Sequence, residues 1–364
     1  MTNKIAVIAG AQGIVGRALV EQLRAGGDWD IVSLSRRAAD AEPGVRHVQV
    51  DLLDVGDCSA KLRDVGEATH VFFTAYAPRA TAAEEVAPNL AMVVNLVETL
   101  ERVAPRLAHV QLMQGTKWYG NHLGPFRTPT REDDPRHMPP NFYYDQQDWL
   151  EARQYGKRWS WSALRPHCIC GFSAGSPMNH LMALSLYATL SRELGLPLRF
   201  PGCPEAFGAL YQFTDARLLA RAMEWAATST ACENQAFNMT NGEPERWKNL
   251  WPDIAGYFGM EAGDVQQITL TRVMADKGPL WARMCEKYQL KPYALDQLVN
   301  WSYADWAYTT PYDQVSSLAK ARRAGWNEVL DTSAMFRSLL ADLVTRKVIP
   351  PAPVRSGTAV GRAD

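Results

Sequence analysis

The sequence predicts an α/β protein: a doubly wound parallel sheet with a smaller, mainly helical C-terminal substrate lobe. Three observations carry this. Short apolar runs alternate with helix-period segments, a glycine-rich turn follows the first run, and the alternation decays after Gly171.

Ile5 to Ala9 is an apolar run that ends in glycines, and Arg17 to Ala25 then puts Ala18, Leu19 and Leu23 on one helical side. Strand, tight turn and helix follow in order. Trp29–Leu34, Val45–Val50 and Thr69–Thr74 read as further strands, and Pro88–Val103 as a long amphipathic helix. His109–Met113 is the next strand, followed by a polar, proline-rich loop over 121–140, a helix near Tyr143–Gly156 and a strand at Trp161–Pro166. Beyond Gly171, helices are expected near Asn179–Glu193 and Asp215–Ala227, then a stretch rich in Trp and Met up to Trp306. The expected division is a dinucleotide-binding domain over 1–172, a substrate lobe over 173–349 with some segments returning to the first domain, and a frayed tail over 350–364.

With 364 residues, 47% of them hydrophobic, the chain can bury a large core. A formal charge of −1, with acids and bases spread along the chain, leaves no footprint for nucleic acid or an anionic membrane, so a small molecule is the expected partner. No stretch has the apolar length of a membrane span, and the N-terminus lacks a signal-peptide pattern. The six cysteines are scattered without metal-like spacing, as expected of free thiols in a reducing cytoplasm, and the histidines show no ligand spacing for a metal. A homodimer is compatible with this composition.

Gly10, Gly13 and Gly16 follow a strand and open a helix, where missing side chains let the backbone turn sharply and approach a pyrophosphate at the helix N-terminus. The expected fold is therefore Rossmann-like. The Gly-x-x-Gly-x-x-Gly spacing resembles the short-chain dehydrogenase/reductase superfamily, particularly its extended branch. About twenty residues on, where an NAD enzyme places an acid for the ribose hydroxyls, stand Ser35, Arg36 and Arg37. Guanidinium groups attract a 2′-phosphate, so NADPH/NADP+ is the expected cofactor. Asp51 and Leu52 match the superfamily's adenine-contacting position.

An ordinary superfamily member carries Tyr-x-x-x-Lys on one helix. Here Gln147 stands four residues after Tyr143, and Asp148 four after Tyr144, so no cation is supplied there. Lys117 instead follows the strand His109–Met113. The segments Gln114-Gly115-Thr116-Lys117-Trp118-Tyr119, Gly124-Pro125-Phe126 and Asn141-Phe142-Tyr143-Tyr144-Asp145-Gln146-Gln147-Asp148 closely resemble those of the progesterone 5β-reductase and iridoid synthase-like family. Arg165-Pro166, Gly171-Phe172-Ser173, Met178-Asn179, Ala236-Phe237-Asn238 and Trp247-Lys248-Asn249-Leu250-Trp251 extend the resemblance over most of the chain. Departures are an insertion at Gly120-Asn121-His122, His167 after Arg165-Pro166, and Gln147 in place of the usual glutamate.

The resemblance implies NADPH-dependent reduction of a carbon–carbon double bond conjugated to a carbonyl, in a small hydrophobic substrate. It implies Lys117 and the second tyrosine, Tyr144, as the catalytic pair that stabilises the enolate oxygen. The cofactor set then comprises Gly10, Gln12, Gly13, Ile14, Val15, Gly16, Ser35, Arg36, Arg37, Asp51, Leu52, Thr74, Ala75, Met113, Tyr144, Ile169, Ser176 and Met178. Tyr76, Phe126, His167, Tyr211, Tyr303 and Trp306 are candidate substrate contacts. Two other functions share the fold: a nucleotide-sugar epimerase or dehydratase, disfavoured by the missing Tyr-x-x-x-Lys, and a non-catalytic NADPH sensor, disfavoured by the presence of both Lys117 and Tyr144.

Overall fold

A computed structural model describes residues 4–38, 42–176 and 178–352. The chain divides into two compact units, one of Met1–Ser176, Tyr211–Pro244 and Asp313–Leu330, the other of Pro177–Leu210, Glu245–Tyr312 and Asp331–Asp364. Of the tail expected over 350–364, only Pro350 to Ala352 are among the described residues. Pro350 is buried and the Pro351 carbonyl accepts from Arg192; the remainder lies outside the described residues.

The first unit holds a seven-stranded sheet made of β1 (Lys4–Ala9), β2 (Trp29–Ser35), β3 (Val45–Gln49), β4 (His70–Phe73), β5 (His109–Met113), β6 (Ser160–Pro166) and β7 (Gln235–Met239), in the order β7-β6-β5-β4-β1-β2-β3. Val7 of β1 pairs in parallel with Val32 on one side and Val71 on the other. The strand order reverses between β1 and β4, and in such sheets ligands enter the crevice beyond the carboxyl ends at this reversal.

Both faces of β1 are buried, and its residues divide between them by simple alternation. Ile5, Val7 and Ala9 join a core that contains Cys58 of α2 (Val55–Lys61), Leu96, Val97 and Leu100 of α3 (Ala82–Val103) and Leu150 of α4 (Phe142–Gln154). Ala6 and Ile8 face a second core, with Leu19 and Leu23 of α1 (Ile14–Gly26) and Leu219 and Met223 of α5 (Ala216–Thr228). A continuous apolar strand is thus required by helices on both sides.

Helix α3 begins before Pro88, where the sequence placed its start. Thr81 and Glu84 form a capping box, each side chain bonding the other's main-chain N–H, and Pro88 falls in the second turn. Asn141 caps α4: its Oδ1 accepts from the Tyr143 N–H at 3.1 Å while its Nδ2 donates to the Lys117 carbonyl at 2.8 Å. One side chain therefore fixes the start of α4 against the end of β5.

The second unit packs helices His180–Glu193, Trp247–Tyr257, Trp301–Thr309 and Thr332–Thr345. Its centre is aromatic: Phe200 meets Trp251 edge-on at 5.1 Å, and Tyr308 lies 5.6 Å from Trp247. Among the described residues no helix is long and apolar enough to cross a membrane, and all six cysteines are buried free thiols.

At the amino edge of the sheet, His70 and His109 are buried beside Trp29 and Lys4. Burial, reinforced by Lys4, lowers His70 to about 4, and burial with His70 beside it lowers His109 to about 3, from an ordinary 6.5. The folded chain favours the neutral rings, so their contribution is complete above pH 6.5 and is lost as pH falls toward 4 and below. The melting temperature should fall steadily over that window, with a shallower slope in His109→Gln. An identical slope in the variant would rule out His109 as a source of the acid sensitivity.

Candidate active site

The glycine turn is shaped by close backbone approach. Gly10 has φ +80°, and a Cβ there would lie 2.8 Å from the Ala75 nitrogen; a Cβ on Gly16 would lie 2.3 Å from the Gly10 carbonyl oxygen. Thr74 locks the contact by donating through both its N–H and its hydroxyl to the Ala9 carbonyl, at 3.0 and 2.7 Å. Gly13 precedes α1 without a side-chain cap, and no acid occupies the first turn. The first N–H groups of Ile14, Val15 and Gly16 are thus left to an anion, and the cradle fits a dinucleotide pyrophosphate.

The second candidate element follows β2. Arg36 and Arg37 are exposed, while main-chain carbonyls of this turn accept from Gln12, His47 and Gln49. Among the described residues no acid takes the place of the two arginines. Beyond β3, Asp51 accepts from the Leu53 N–H at 3.0 Å, and the Leu52 carbonyl accepts from Asn95 at 2.8 Å.

Past β5 the chain runs through Met113 and an extended Gly115 into a single 3-10 turn, Thr116–Tyr119, which carries Lys117 half-buried. His122, from the inserted Gly120-Asn121-His122, is lowered to about 4 by burial, then by the charges of Lys117 and His137.

The two tyrosines of α4 have different surroundings. The Tyr144 hydroxyl, assigned above to catalysis and to the cofactor, donates to the Trp118 carbonyl at 2.6 Å and accepts from the His137 N–H at 2.9 Å. Its ring meets Trp118 edge-on at 4.9 Å, and Arg136, bound to Asp148, lies over it at 5.0 Å. Both hydrogen-bonding directions of that hydroxyl are used by backbone, so the geometry is that of a clamp on the 121–140 loop. Tyr143 is oriented otherwise: its hydroxyl lies 3.5 Å from where a Gly115 Cβ would stand, and no group among the described residues hydrogen-bonds it. Burial first, and then the charge of Glu85, holds the Tyr143 phenol well above its ordinary 10.

Behind this pair lies Arg165 of β6, 1% exposed. It donates to Gln114 Oε1 at 2.9 Å, Gln147 Oε1 at 3.1 Å, the Tyr119 hydroxyl at 3.1 Å and the Glu132 carbonyl at 3.2 Å, and stacks over Trp118 at 3.6 Å. Gln147, which stands where a Tyr-x-x-x-Lys lysine would be counted from Tyr143, accepts bonds from both Arg165 and Gln114. The sequence showed Arg165 only as half of an Arg-Pro pair; its donor pattern explains why Gln114 and Gln147 accompany it.

Of the candidate substrate contacts, Tyr76 donates its hydroxyl to Glu85 and stacks on Phe142 at 5.6 Å. Phe126 packs on the Trp118, Tyr119 and Tyr144 cluster. His167 lies 2.7 Å from the Thr116 hydroxyl and 4.6 Å from the Tyr211 ring. Ile169 pairs with Thr214 beside the sheet, and the loop ending at Ser176 is tied to the glycine turn by Ser173, which donates to the Gln12 carbonyl. Met178, Tyr303 and Trp306 belong to the second unit, where Met178 is exposed and Tyr303 and Trp306 are 6.0 Å apart.

The parallel sheet, glycine turn and helical second unit are those of the extended short-chain dehydrogenases/reductases, an oxidoreductase class built around a nicotinamide dinucleotide. Within that class the chain belongs to the PRISE family, whose PRISE-like Rossmann-fold domain matches residues 46–350. An (S)-8-oxocitronellyl enol synthase of Nepeta racemosa is 35% identical over 83% of this chain and 80% of its own. The 3-oxo-Delta(4,5)-steroid 5-beta-reductase of Arabidopsis thaliana is 32% identical over 96% of this chain and 94% of its own. Among solved structures, the Bordetella bronchiseptica enzyme WbmG in complex with NAD shares the fold, with a TM-score of 0.65 at 17% identity over 95% of this chain and 96% of that one.

Arg165→Met should leave two buried side-chain acceptors, Gln114 Oε1 and the Tyr119 hydroxyl, without their donor and lower the unfolding free energy by about 2–4 kcal/mol. Urea denaturation measures this directly. A loss below about 0.5 kcal/mol, the range of neutral surface changes, would show that Arg165 does not hold the strand ends together.

Proposed function

We propose that the protein is an NADPH-dependent reductase of carbon–carbon double bonds conjugated to a ketone or aldehyde, with Tyr143 and Lys117 at the reacting oxygen. The observation that carries this reading is the Tyr143 hydroxyl, kept protonated by burial, without a hydrogen-bond partner among the described residues and close to Gly115 beside the Lys117 turn. Gly115 has no side chain to fill the space in front of that hydroxyl. Two relatives point the same way by name, one as an enol synthase and one as a reductase of a 3-oxo steroid with a double bond beside the ketone.

The first N–H groups of α1 would hold the pyrophosphate of a reduced nicotinamide cofactor, which would supply a hydride for the substrate's β-carbon. The residues manage the negative charge that then develops on the carbonyl oxygen. Tyr143, kept protonated by burial, donates a hydrogen bond to that oxygen, and the Lys117 ammonium adds a compact positive charge. Both interactions strengthen as the enolate forms, so they lower the barrier rather than merely binding substrate. Hydride at the β-carbon and one proton from solvent at the α-carbon complete the saturated carbonyl product. Tyr144 supports the site by holding Trp118 and His137, and takes no part in the proton chemistry. Arg36 and Arg37 stand where an acid would reject a 2′-phosphate, which supports NADPH over NADH.

Tyr143→Phe should lower kcat for conjugated ketones on the order of a hundredfold, and Lys117→Met should lower it in the same sense while both variants stay folded. Tyr144→Phe should instead destabilise the protein by about 1–2 kcal/mol through lost backbone bonds, with a milder effect on kcat. A larger kcat loss in Tyr144→Phe than in Tyr143→Phe would return the catalytic role to Tyr144. Arg36→Ala/Arg37→Ala should raise KM for NADPH by roughly tenfold or more and leave KM for NADH near its starting value. An unchanged cofactor preference in that variant would detach the arginines from the cofactor.

A further inference from the structure

We infer that His47 and Gln49 on β3, together with Gln12 of the glycine turn, act as positioning residues that set the Arg36–Arg37 turn for a 2′-phosphate. The inference rests on the NADPH reading above and adds what makes the two arginines effective. Arg36 and Arg37 lie beyond the last sheet pairing of β2, on irregular and exposed backbone. A mobile turn would have to be ordered when the phosphate binds, and that entropy would be subtracted from affinity.

Within the turn the Ser35 hydroxyl donates to the Arg37 carbonyl, and side chains from outside it reach the carbonyls of Arg36, Arg37 and Ala38. Gln49 donates to the Arg36 carbonyl at 3.0 Å, and His47 Nε2 lies 3.2 Å from the Arg37 carbonyl. Gln12 Nε2 donates to the Ala38 carbonyl at 3.1 Å and more weakly to that of Arg37 at 3.4 Å. With the carbonyls taken, both arginine side chains stay exposed, and the Arg37 guanidinium lies within 3.8 Å of where a Gly175 Cβ would stand. His47 and Gln49 are two residues apart on one strand, so they reach the turn from the same face of β3. Gln12 belongs to the turn that would hold the pyrophosphate, and thus couples the two phosphate sites through a single side chain.

The ring orientation follows from simple donor counting. A carbonyl oxygen only accepts, so His47 Nε2 carries the hydrogen, and Nδ1 of the neutral ring accepts from the Ser33 hydroxyl at 3.0 Å. Ser33 is itself buried in β2, and it fixes the imidazole that fixes Arg37. His47 is half-buried and Gln49 exposed, so neither contributes much to the core. Their bonds matter for where the turn lies, which separates this role from a general structural one.

Calorimetric titration of the full chain with 2′,5′-ADP and with 5′-AMP tests the inference without requiring turnover. The wild-type protein should bind 2′,5′-ADP more tightly. His47→Leu/Gln49→Leu should weaken 2′,5′-ADP roughly tenfold through lost preorganisation and leave 5′-AMP and the melting temperature unchanged. His47→Gln, which keeps a donor for the Arg37 carbonyl, should retain most of the affinity. An equal loss for both nucleotides, or no loss for either, in the double variant overturns the positioning role while the NADPH reading stands. A wild-type protein that does not distinguish the two nucleotides overturns the NADPH reading and the positioning role together.

Discussion

The contact on which the site depends is that of Gly10 against the main chain at Thr74–Ala75, where β1 and β4 end side by side. No side chain fits between them, and Thr74 fastens the approach through two bonds to Ala9. This contact lies where the strand order reverses, and it opens a crevice at the carboxyl edge whose floor is backbone. The direction of α1, the accessibility of its first N–H groups and the position of Tyr76 at the end of β4 all follow from it.

Across the crevice the same economy recurs in α4. Successive residues on a helix diverge by about 100°, so Tyr143 and Tyr144 cannot both face the same space. The cap at Asn141, tied to the Lys117 carbonyl, decides which one does. With that register, Tyr144 is turned under Trp118 and used as a strut, and Tyr143 is left facing Gly115. Arg165 then satisfies the polar groups behind the strand ends, so a buried, hydrogen-bonded wall backs a hydroxyl that has no partner among the described residues.

Much of this was legible in the sequence, because the residues concerned act through local rules. The alternating apolar strands, the spacing of Gly10, Gly13 and Gly16, and the displaced Lys117 each mark their element by pattern alone. The orientations of Tyr143 and Tyr144 did not show there, since they turn on where the Trp118 and His137 main chains lie, and those belong to a loop with no periodicity. The start of α3 was misplaced for a comparable reason: Pro88 signals a helix start, but the Thr81–Glu84 capping box is the stronger local term. His47 and Gln49 looked like ordinary polar positions on an edge strand, and only their reach across to the Arg36–Arg37 turn gives them meaning.

The central claim is that the charge developing during reaction sits on a carbonyl oxygen three bonds away from the carbon that receives the hydride. Deuterium tracing measures that separation directly. Cyclohexenone reduced with NADPH carrying deuterium on the transferred position should give cyclohexanone labelled at the β-carbon. Label on the carbinol carbon of an allylic alcohol would show direct carbonyl reduction and contradict the account.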